Sequence, residues 1–129
     1  MKIKGKVVTG LGESGKFLAI DWVNRAVCEK FTFRPFCGTL NIEVTDPAVQ
    51  KQLIRESTDR IAACEEGFCD AVTYRGRVNG RYECGLIIPL VPNYPEQLLE
   101  IVAPVQLKDA LNIKDGDEVE LELETTEPR

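Results

Sequence analysis

Residues 68–89, FCDAVTYRGRVNGRYECGLIIP, decide the fold of this 129-residue chain. Two strand-like runs, Phe68 to Gly76 and Arg81 to Pro89, flank the dipeptide Asn79-Gly80. Both turn residues tolerate positive φ, as a tight hairpin turn requires. We therefore predict a central pair of antiparallel strands.

Further strand-like runs occur on both sides of this hairpin. Some alternate between polar and apolar residues, and others are short and apolar. They are Lys2–Thr9, Lys16–Asp21, Thr39–Val44, Leu98–Ala103 and Glu118–Glu124. Hairpins favour antiparallel pairing, and closure of the sheet removes exposed edges. We predict a mostly β fold with short helices (α+β), built as a small barrel of roughly six to eight strands.

Three segments carry helix signals, namely apolar residues at helical spacing, a capping aspartate, or a proline in the first turn. They are Val23–Phe31 with Asp21 as the candidate cap, a helix from Asp46-Pro47 to about Glu56, and Val105–Leu111 after Pro104. Residues 57–67 are ambiguous. We expect residues 1–129 to form one domain, with 125–129 as a frayed tail.

The composition narrows the function classes. The net charge is −5, whereas a duplex-binding protein needs a cationic surface. The chain contains no histidine, which excludes Ser-His-Asp and Cys-His catalysis. No apolar segment follows Met1-Lys2 as in a signal peptide, and no run approaches the ~20 residues of a membrane span. We expect a soluble, cytoplasmic protein that binds neither nucleic acid nor membranes.

The cysteines form no recognisable zinc or disulfide pattern. No Cys-x-x-Cys pair occurs, and no histidine could complete a zinc site. We expect buried or partly buried free thiols, as in a reducing cytoplasm. The residues are Cys28, Cys37, Cys64, Cys69 and Cys84.

Gly10 to Lys16, GLGESGK, is a glycine-rich loop that matches most of the P-loop pattern. A P-loop continues with Ser or Thr, which holds magnesium, but here the next residue is Phe17. The strand predicted after the loop also departs from the helix that a P-loop opens. A true P-loop is therefore disfavoured, although converging backbone amides in such a loop can still hold an anion. A glycine-rich turn without a ligand is the alternative.

Four segments, taken in order, resemble the archaeal CTP-dependent riboflavin kinases. They are GLGESGKF at 10–17, GTLNI at 38–42, LEIVAP at 99–104 and LKDALNIKDGD at 107–117. The resemblance covers nearly the whole chain, and Phe33-x-Pro35 also fits it. It implies a cradle-loop (riboflavin-kinase-like) β-barrel that uses Mg²⁺ to transfer the γ-phosphate of CTP to riboflavin, giving FMN and CDP.

The resemblance also implies site residues. Thr39 and Asn41 would be the magnesium ligands, and Glu100 would contact the flavin. We identify no general base, and we expect a monomer. The nucleotide-binding residues would be Gly10, Leu11, Gly12, Glu13, Ser14, Gly15, Lys16, Val105, Gln106, Leu107 and Lys108.

Two positions depart from the family pattern. Ser14 stands where the family usually has glycine, and Gly15 can supply the same freedom one residue later. The family also has a flavin-contacting threonine ahead of the glutamate, and the matching position here is Pro92. Because proline has no N–H to donate, Asn93 is a second candidate for this flavin contact.

Residue chemistry supports the magnesium site. Residues 39 and 41 of a strand point to the same face, and a hydroxyl and an amide oxygen are hard, neutral ligands. The alternative is that Thr39 and Asn41 simply end a strand. Glu100 lies in the apolar run LLEIV. It is either a functional carboxylate that needs a partner or a residue on the solvent face.

Two other functions stay open at this point. One is a barrel that holds a nucleotide or flavin without catalysis, which the departures at Ser14 and Pro92 favour. The other is a transcription factor of the related swapped-hairpin barrels, and the acidic strand Glu118–Glu124 argues against it. If the chain is a kinase, Lys16 or Lys108 could bring positive charge to the phosphates.

Overall fold

The computed structural model describes residues 1–10 and 17–124 of the chain. The helices are α1 Asp21–Phe31, α2 Ala48–Glu56 and α3 Leu107–Leu111. Residues 11–16 of the glycine-rich loop and the tail 125–129 lie outside the described residues. The strands are β1 Lys2–Val8, β2 Leu40–Glu43, β3 Arg60–Ile61, β4 Ala71–Val78, β5 Tyr82–Pro89, β6 Leu98–Val102 and β7 Glu118–Leu123.

Six of these strands close into an antiparallel barrel. They pair in the order β1, β2, β6, β5, β4 and β7, and the pairing of β7 with β1 completes the ring. Among the described strands, the short β3 pairs with β4 alone. The prediction of a mostly β fold with short helices, closed as a small barrel of the cradle-loop type, is confirmed.

The hairpin of β4 and β5 forms as the sequence predicts. Its register runs from Ala71 opposite Pro89 to Val78 opposite Tyr82. Asn79 has a φ of 51° and Gly80 a φ of 66°, so both turn residues are in the left-handed region that this turn needs. The Asn79 side chain also accepts a hydrogen bond from the backbone N–H of Glu120 at 2.8 Å, which ties the turn to β7.

Alternate strand residues fill the barrel with aliphatic side chains. Ile42, Leu86 and Leu99 have no accessible surface, and burial of each such side chain contributes about 1.5–3 kcal/mol. Because β2, β5 and β6 each place side chains in this core, the backbone that carries the candidate site is held in a fixed position.

Helix α1 covers part of the outer surface of the barrel and forms a second apolar cluster with it. Val23, Val27 and Phe31 of α1 are at most 3% exposed, and they cluster with Ala71 and Ile87 of the sheet. The Phe31 ring lies directly over Gly85, where any side chain would overlap it.

The predicted strand Lys16–Asp21 is wrong in its described part. Phe17 and Leu18 form a helical turn, and α1 begins at Asp21. The Leu18 carbonyl accepts a hydrogen bond from the Asn24 side chain at 3.2 Å, a local contact that replaces a sheet ladder. Leu18 is 1% exposed and belongs to the α1 cluster, so the apolar run anchors the start of α1. Phe17 and the antiparallel barrel still disfavour a P-loop.

The helix boundaries differ from the predictions by one or two residues. The N-cap of α1 is Ile20, so Asp21 is the first helical residue and not the cap. Helix α2 starts at Ala48 with Pro47 as its N-cap, so the predicted cap, Asp46, lies one residue too early. The Asp46 carboxylate still accepts a hydrogen bond from the Ala48 N–H at 2.9 Å. Helix α3 starts at Leu107 rather than at Val105.

All five cysteines are free thiols, but the expectation that they are buried or partly buried is wrong for four of them. Cys84 is buried, and desolvation raises the pKa of its thiol to about 12. Cys28, Cys37, Cys64 and Cys69 are exposed. Within residues 1–10 and 17–124, no three histidine, cysteine or acidic side chains group into a metal site, and no helix is long and apolar enough to span a membrane.

Candidate functional site

A row of directly opposed residues crosses the sheet at the candidate site. Asn41 of β2 lies opposite Val8 of β1 and opposite Glu100 of β6, and Glu100 lies opposite Ile87 of β5. Opposed residues of an antiparallel pair point to the same face of a sheet. Ile87 belongs to the outer apolar cluster, so Asn41 and Glu100 also project to the outer side of the barrel.

Three polar side chains meet on this outer face, and we call Thr39, Asn41 and Glu100 the oxygen cluster. Thr39 Oγ1 lies 3.4 Å from Asn41 Oδ1 and 3.4 Å from Glu100 Oε1. The Asn41 amide nitrogen donates to the Thr39 carbonyl at 3.4 Å, which turns Oδ1 towards the hydroxyl. A hydroxyl, an amide and a carboxylate oxygen therefore face one another, although Asn41 is only 9% exposed.

The oxygen cluster fits a magnesium ion. Octahedral Mg²⁺ binds oxygens at about 2.1 Å, so adjacent ligands are about 3 Å apart. The separations of 3.4 Å need to shrink by only about 0.4 Å to match this geometry. Two protein ligands suffice because Mg²⁺ keeps several waters and takes up substrate phosphates. Thr39 and Asn41 could therefore hold the ion, with Glu100 beside them.

The glycine-rich loop begins beside the oxygen cluster. Gly10 is so close to Asn41 that a Cβ at position 10 would overlap the amide, with Oδ1 only 2.6 Å away. Glycine at this position therefore leaves the Asn41 side chain in place. The first residue of the predicted nucleotide loop is a neighbour of a predicted metal ligand. Leu11, Gly12, Glu13, Ser14, Gly15 and Lys16 lie outside the described residues.

Lys108, from the second predicted nucleotide segment, is tied to the same end of β1. Asp115 accepts hydrogen bonds from the Thr9 hydroxyl at 2.5 Å and from Lys108 Nζ at 2.9 Å. These hydrogen bonds, the one from Thr9 first, lower the pKa of the Asp115 carboxyl. The Gly116 N–H also donates to the Val7 carbonyl at 2.8 Å. Lys108 therefore lies near the base of the glycine-rich loop.

A cavity of about 250 Å³ adjoins the oxygen cluster, because Thr39 and Glu100 line it. This volume is close to the lower end of small-molecule sites, about 300 Å³. Its walls are mostly apolar, from Phe17, Phe68 and Ile87 among others. Among the described residues that line it, Glu100 carries the one formal charge.

Aromatic rings form one wall of this cavity. The Phe17 and Phe68 rings have centroids 5.8 Å apart, and Trp22 packs edge-on to Phe68 at 5.4 Å. Trp22 Nε1 donates to the Glu65 carboxylate at 2.9 Å, which fixes α1 to the loop before β4. Flat apolar rings favour a planar aromatic ligand, since offset stacking and edge contacts add to apolar burial.

Tyr94 is a site residue that the sequence reasoning missed. Its hydroxyl donates to Glu100 Oε2 at 2.6 Å, and its ring lines the cavity. Burial, followed by the negative charge of Glu100, raises the pKa of Tyr94 well above its usual value, so the hydroxyl remains a donor. Glu100 is therefore a partnered carboxylate in a cleft. An aromatic hydroxyl soon after Pro92 in the same loop was the signal that could have found it.

The other predicted contacts in the flavin loop and in the second nucleotide segment do not line the cavity. Pro92 and Asn93 lie on an exposed turn, where Asn93 has a φ of 64°, and neither is among the residues that line the cavity. Val105 and Gln106 are exposed, whereas Leu107 is 4% exposed and packs in the barrel core. Leu107 can therefore meet a nucleotide only through its backbone.

A family model for CTP-dependent riboflavin kinases, described as domain of unknown function DUF120, matches residues 7–123. A riboflavin kinase of Ignicoccus hospitalis is 36% identical over 126 residues, which cover 94% of this chain and 70% of that protein. One of Saccharolobus solfataricus is 34% identical over 129 residues, with 95% and 74% covered.

A third relative matches over almost its entire length. The riboflavin kinase of Methanothermobacter thermautotrophicus is 38% identical over 119 residues, which cover 92% of this chain and 96% of that protein. The family match takes in every barrel strand at least in part, together with Thr39, Asn41 and Glu100. On this evidence the chain belongs to the CTP-dependent riboflavin kinase family.

Proposed function

We propose that this protein uses Mg²⁺ to transfer the γ-phosphate of CTP to riboflavin, giving FMN and CDP. The carrying observation is that Thr39 and Glu100 belong both to the oxygen cluster beside Gly10 and to the wall of the apolar cavity. A phosphate donor on the Gly10 side and an alcohol acceptor in the cavity would meet at these two residues. The names of the relatives support riboflavin as the acceptor, and the family name supports CTP as the donor.

On the donor side, the chain positions phosphate and neutralises its charge. Thr39 and Asn41 would hold Mg²⁺, and the chemistry that this ion supplies in phosphoryl transfer is charge neutralisation on phosphate oxygens. Gly10 lets the backbone approach closely. Lys108, which is paired with Asp115, would add positive charge on this side of the barrel.

On the acceptor side, the cavity orients an aromatic ring with an alcohol-bearing chain. Phe17 and Phe68 would pack against the isoalloxazine ring, and Glu100 would accept a hydrogen bond from the ribityl chain. That hydrogen bond aims the alcohol at the phosphate. Strong base assistance is not required, because the transition state of phosphoryl transfer is usually loose.

A nucleotide panel tests the proposal. CTP, ATP, GTP and UTP are each incubated with riboflavin and either MgCl₂ or EDTA, and FMN is quantified by fluorescence after chromatography. We expect FMN with CTP and magnesium and almost none with EDTA. Preference for another nucleotide would refute CTP as the donor. Binding of riboflavin without FMN from any nucleotide would refute the kinase and leave the non-catalytic binding barrel.

A further inference from the structure

We propose that Tyr94 is a positioning residue that holds Glu100 so that its second carboxylate oxygen accepts a hydrogen bond from an alcohol on the acceptor's side chain. This inference rests on the proposed function, because it assumes that the acceptor lies in the cavity lined by both residues. Tyr94 belongs neither to the oxygen cluster nor to the contacts that the sequence predicts.

The two oxygens of Glu100 have different surroundings. Oε2 receives the Tyr94 hydroxyl at 2.6 Å, which is the length of a strong hydrogen bond to a carboxylate. Oε1 lies 3.4 Å from Thr39 Oγ1, which is long for a hydrogen bond between oxygens, normally about 2.7–2.8 Å. The short bond fixes the carboxylate, and Oε1 keeps capacity for a closer donor.

The fold presets the position of Tyr94. Gln50 of α2 is 5% exposed, and its amide donates to the Pro95 carbonyl at 2.9 Å and to the Leu98 carbonyl at 2.7 Å. These bonds hold the loop directly after Tyr94 against α2. Contacts within the fold therefore hold the Tyr94–Glu100 pair together, as a preorganised contact requires.

The simpler explanation is that Tyr94 only contributes its ring to the cavity wall. Tyr94→Phe separates the two roles, since it keeps the ring and removes the hydroxyl. Tyr74→Phe is the matched control. The Tyr74 hydroxyl also makes a 2.6 Å hydrogen bond, to the Leu53 carbonyl, and Tyr74 is not among the residues that line the cavity.

The first readout is binding and needs no catalysis. Riboflavin and lumiflavin, which has the same ring system but a methyl group in place of the ribityl chain, are titrated by flavin fluorescence. We expect the ratio of riboflavin affinity to lumiflavin affinity to fall about 10-fold in Tyr94→Phe, which is the effect of losing one hydrogen bond to a charged group. Lumiflavin affinity should stay the same, and Tyr74→Phe should bind both flavins as the wild type does.

A double mutant and turnover provide the second readout. In turnover, Tyr94→Phe should lower kcat for FMN formation more than it raises KM for riboflavin. In the double mutant, adding Tyr94→Phe to Glu100→Gln should not change riboflavin binding any further. If Tyr94→Phe does not fold, Glu100→Gln takes its place as the test, because it keeps Tyr94 and weakens the acceptor that Tyr94 is proposed to hold. The preference for riboflavin must then fall, and an unchanged preference would overturn the positioning role.

The outcomes separate this inference from the proposed function. An unchanged riboflavin preference in Tyr94→Phe, or an equal loss for both flavins, overturns the positioning role even if the wild type makes FMN. If the wild type makes no FMN but Tyr94→Phe still loses the preference, the positioning role stands and the kinase is refuted. A wild type that binds neither flavin overturns both.

Discussion

Replacing Gly10 with alanine measures how closely the glycine-rich loop and the predicted magnesium ligands depend on each other. The new Cβ would overlap the Asn41 amide nitrogen and carbon and would lie 2.6 Å from Oδ1, whereas ordinary contacts begin at 3.4 Å, so the whole amide must move by at least about 0.8 Å. Gly10 is not in the left-handed φ region, and alanine therefore adds no backbone strain there. The Asn41 amide can swing away about its side-chain bonds, so we expect a stability change of less than about 1 kcal/mol.

The same displacement should be costly for activity. Functional groups must be held within about 0.5 Å of their working positions, and a misplacement near 1 Å can cost about 100-fold in rate. We therefore expect Gly10→Ala to lower kcat for magnesium-dependent FMN formation by about 100-fold while circular dichroism and the urea midpoint stay nearly unchanged.

A double mutant identifies the cause. If alanine at position 10 acts by displacing Asn41, then Gly10→Ala should reduce kcat little further in an Asn41→Ala background. Full activity of Gly10→Ala would refute the reasoning. A decrease in kcat by the same factor in the wild-type and Asn41→Ala backgrounds would also refute it, because the loop would then act independently of the Asn41 side chain.

Three further predictions follow from single side chains. Asn41→Ala should lower magnesium-dependent turnover by about 100-fold or more with the fold intact, and unchanged kinetics would remove Asn41 from the metal site. Gly85→Ala should destabilise the protein by about 1–3 kcal/mol in urea, because its Cβ would lie 2.5 Å from a Phe31 ring carbon. Phe31→Leu should recover part of that loss, and equal stability of Gly85→Ala and wild type would contradict the packing. Burial raises the pKa of Cys84 from 9.0 to about 12, so unfolding releases this proton at alkaline pH, and stability should fall by up to about 1.4 kcal/mol per pH unit above about pH 9. Cys84→Ala should show a smaller decline over this range, and an equal decline would refute the assignment.

The barrel could be predicted from the sequence because the strand patterns, the turn residues and the closure of a sheet without exposed edges all indicate the same fold. Strict alternation in Glu118–Leu123 and the Asn79-Gly80 turn fix strands and register from neighbouring residues alone. The predicted strand Lys16–Asp21 is wrong in its described part because a short apolar segment suits either a strand or a helical anchor. What decides it is the outer surface of the barrel, where Leu18 packs with α1, and that surface exists only after the chain has folded.

The candidate site was predictable only in part. Thr39, Asn41 and Glu100 emerged from a resemblance in sequence, and the structure brings them within contact distance because β2 and β6 are neighbours. Tyr94 could not be found by counting from Glu100, since an irregular loop with a left-handed residue at Asn93 determines which side chain faces inward. The predicted contacts at Leu11–Lys16 lie outside the described residues and stay predictions.

The most direct measurement is a crystal structure of the protein with CDP, Mn²⁺ in place of Mg²⁺, and riboflavin, in which anomalous scattering locates the metal. The proposed function predicts manganese bonded to Thr39 Oγ1 and Asn41 Oδ1, the diphosphate against Gly10, and the flavin ring against Phe17 and Phe68 with its ribityl chain at Glu100. Manganese bound elsewhere on the barrel, or a flavin outside this cavity, would contradict it.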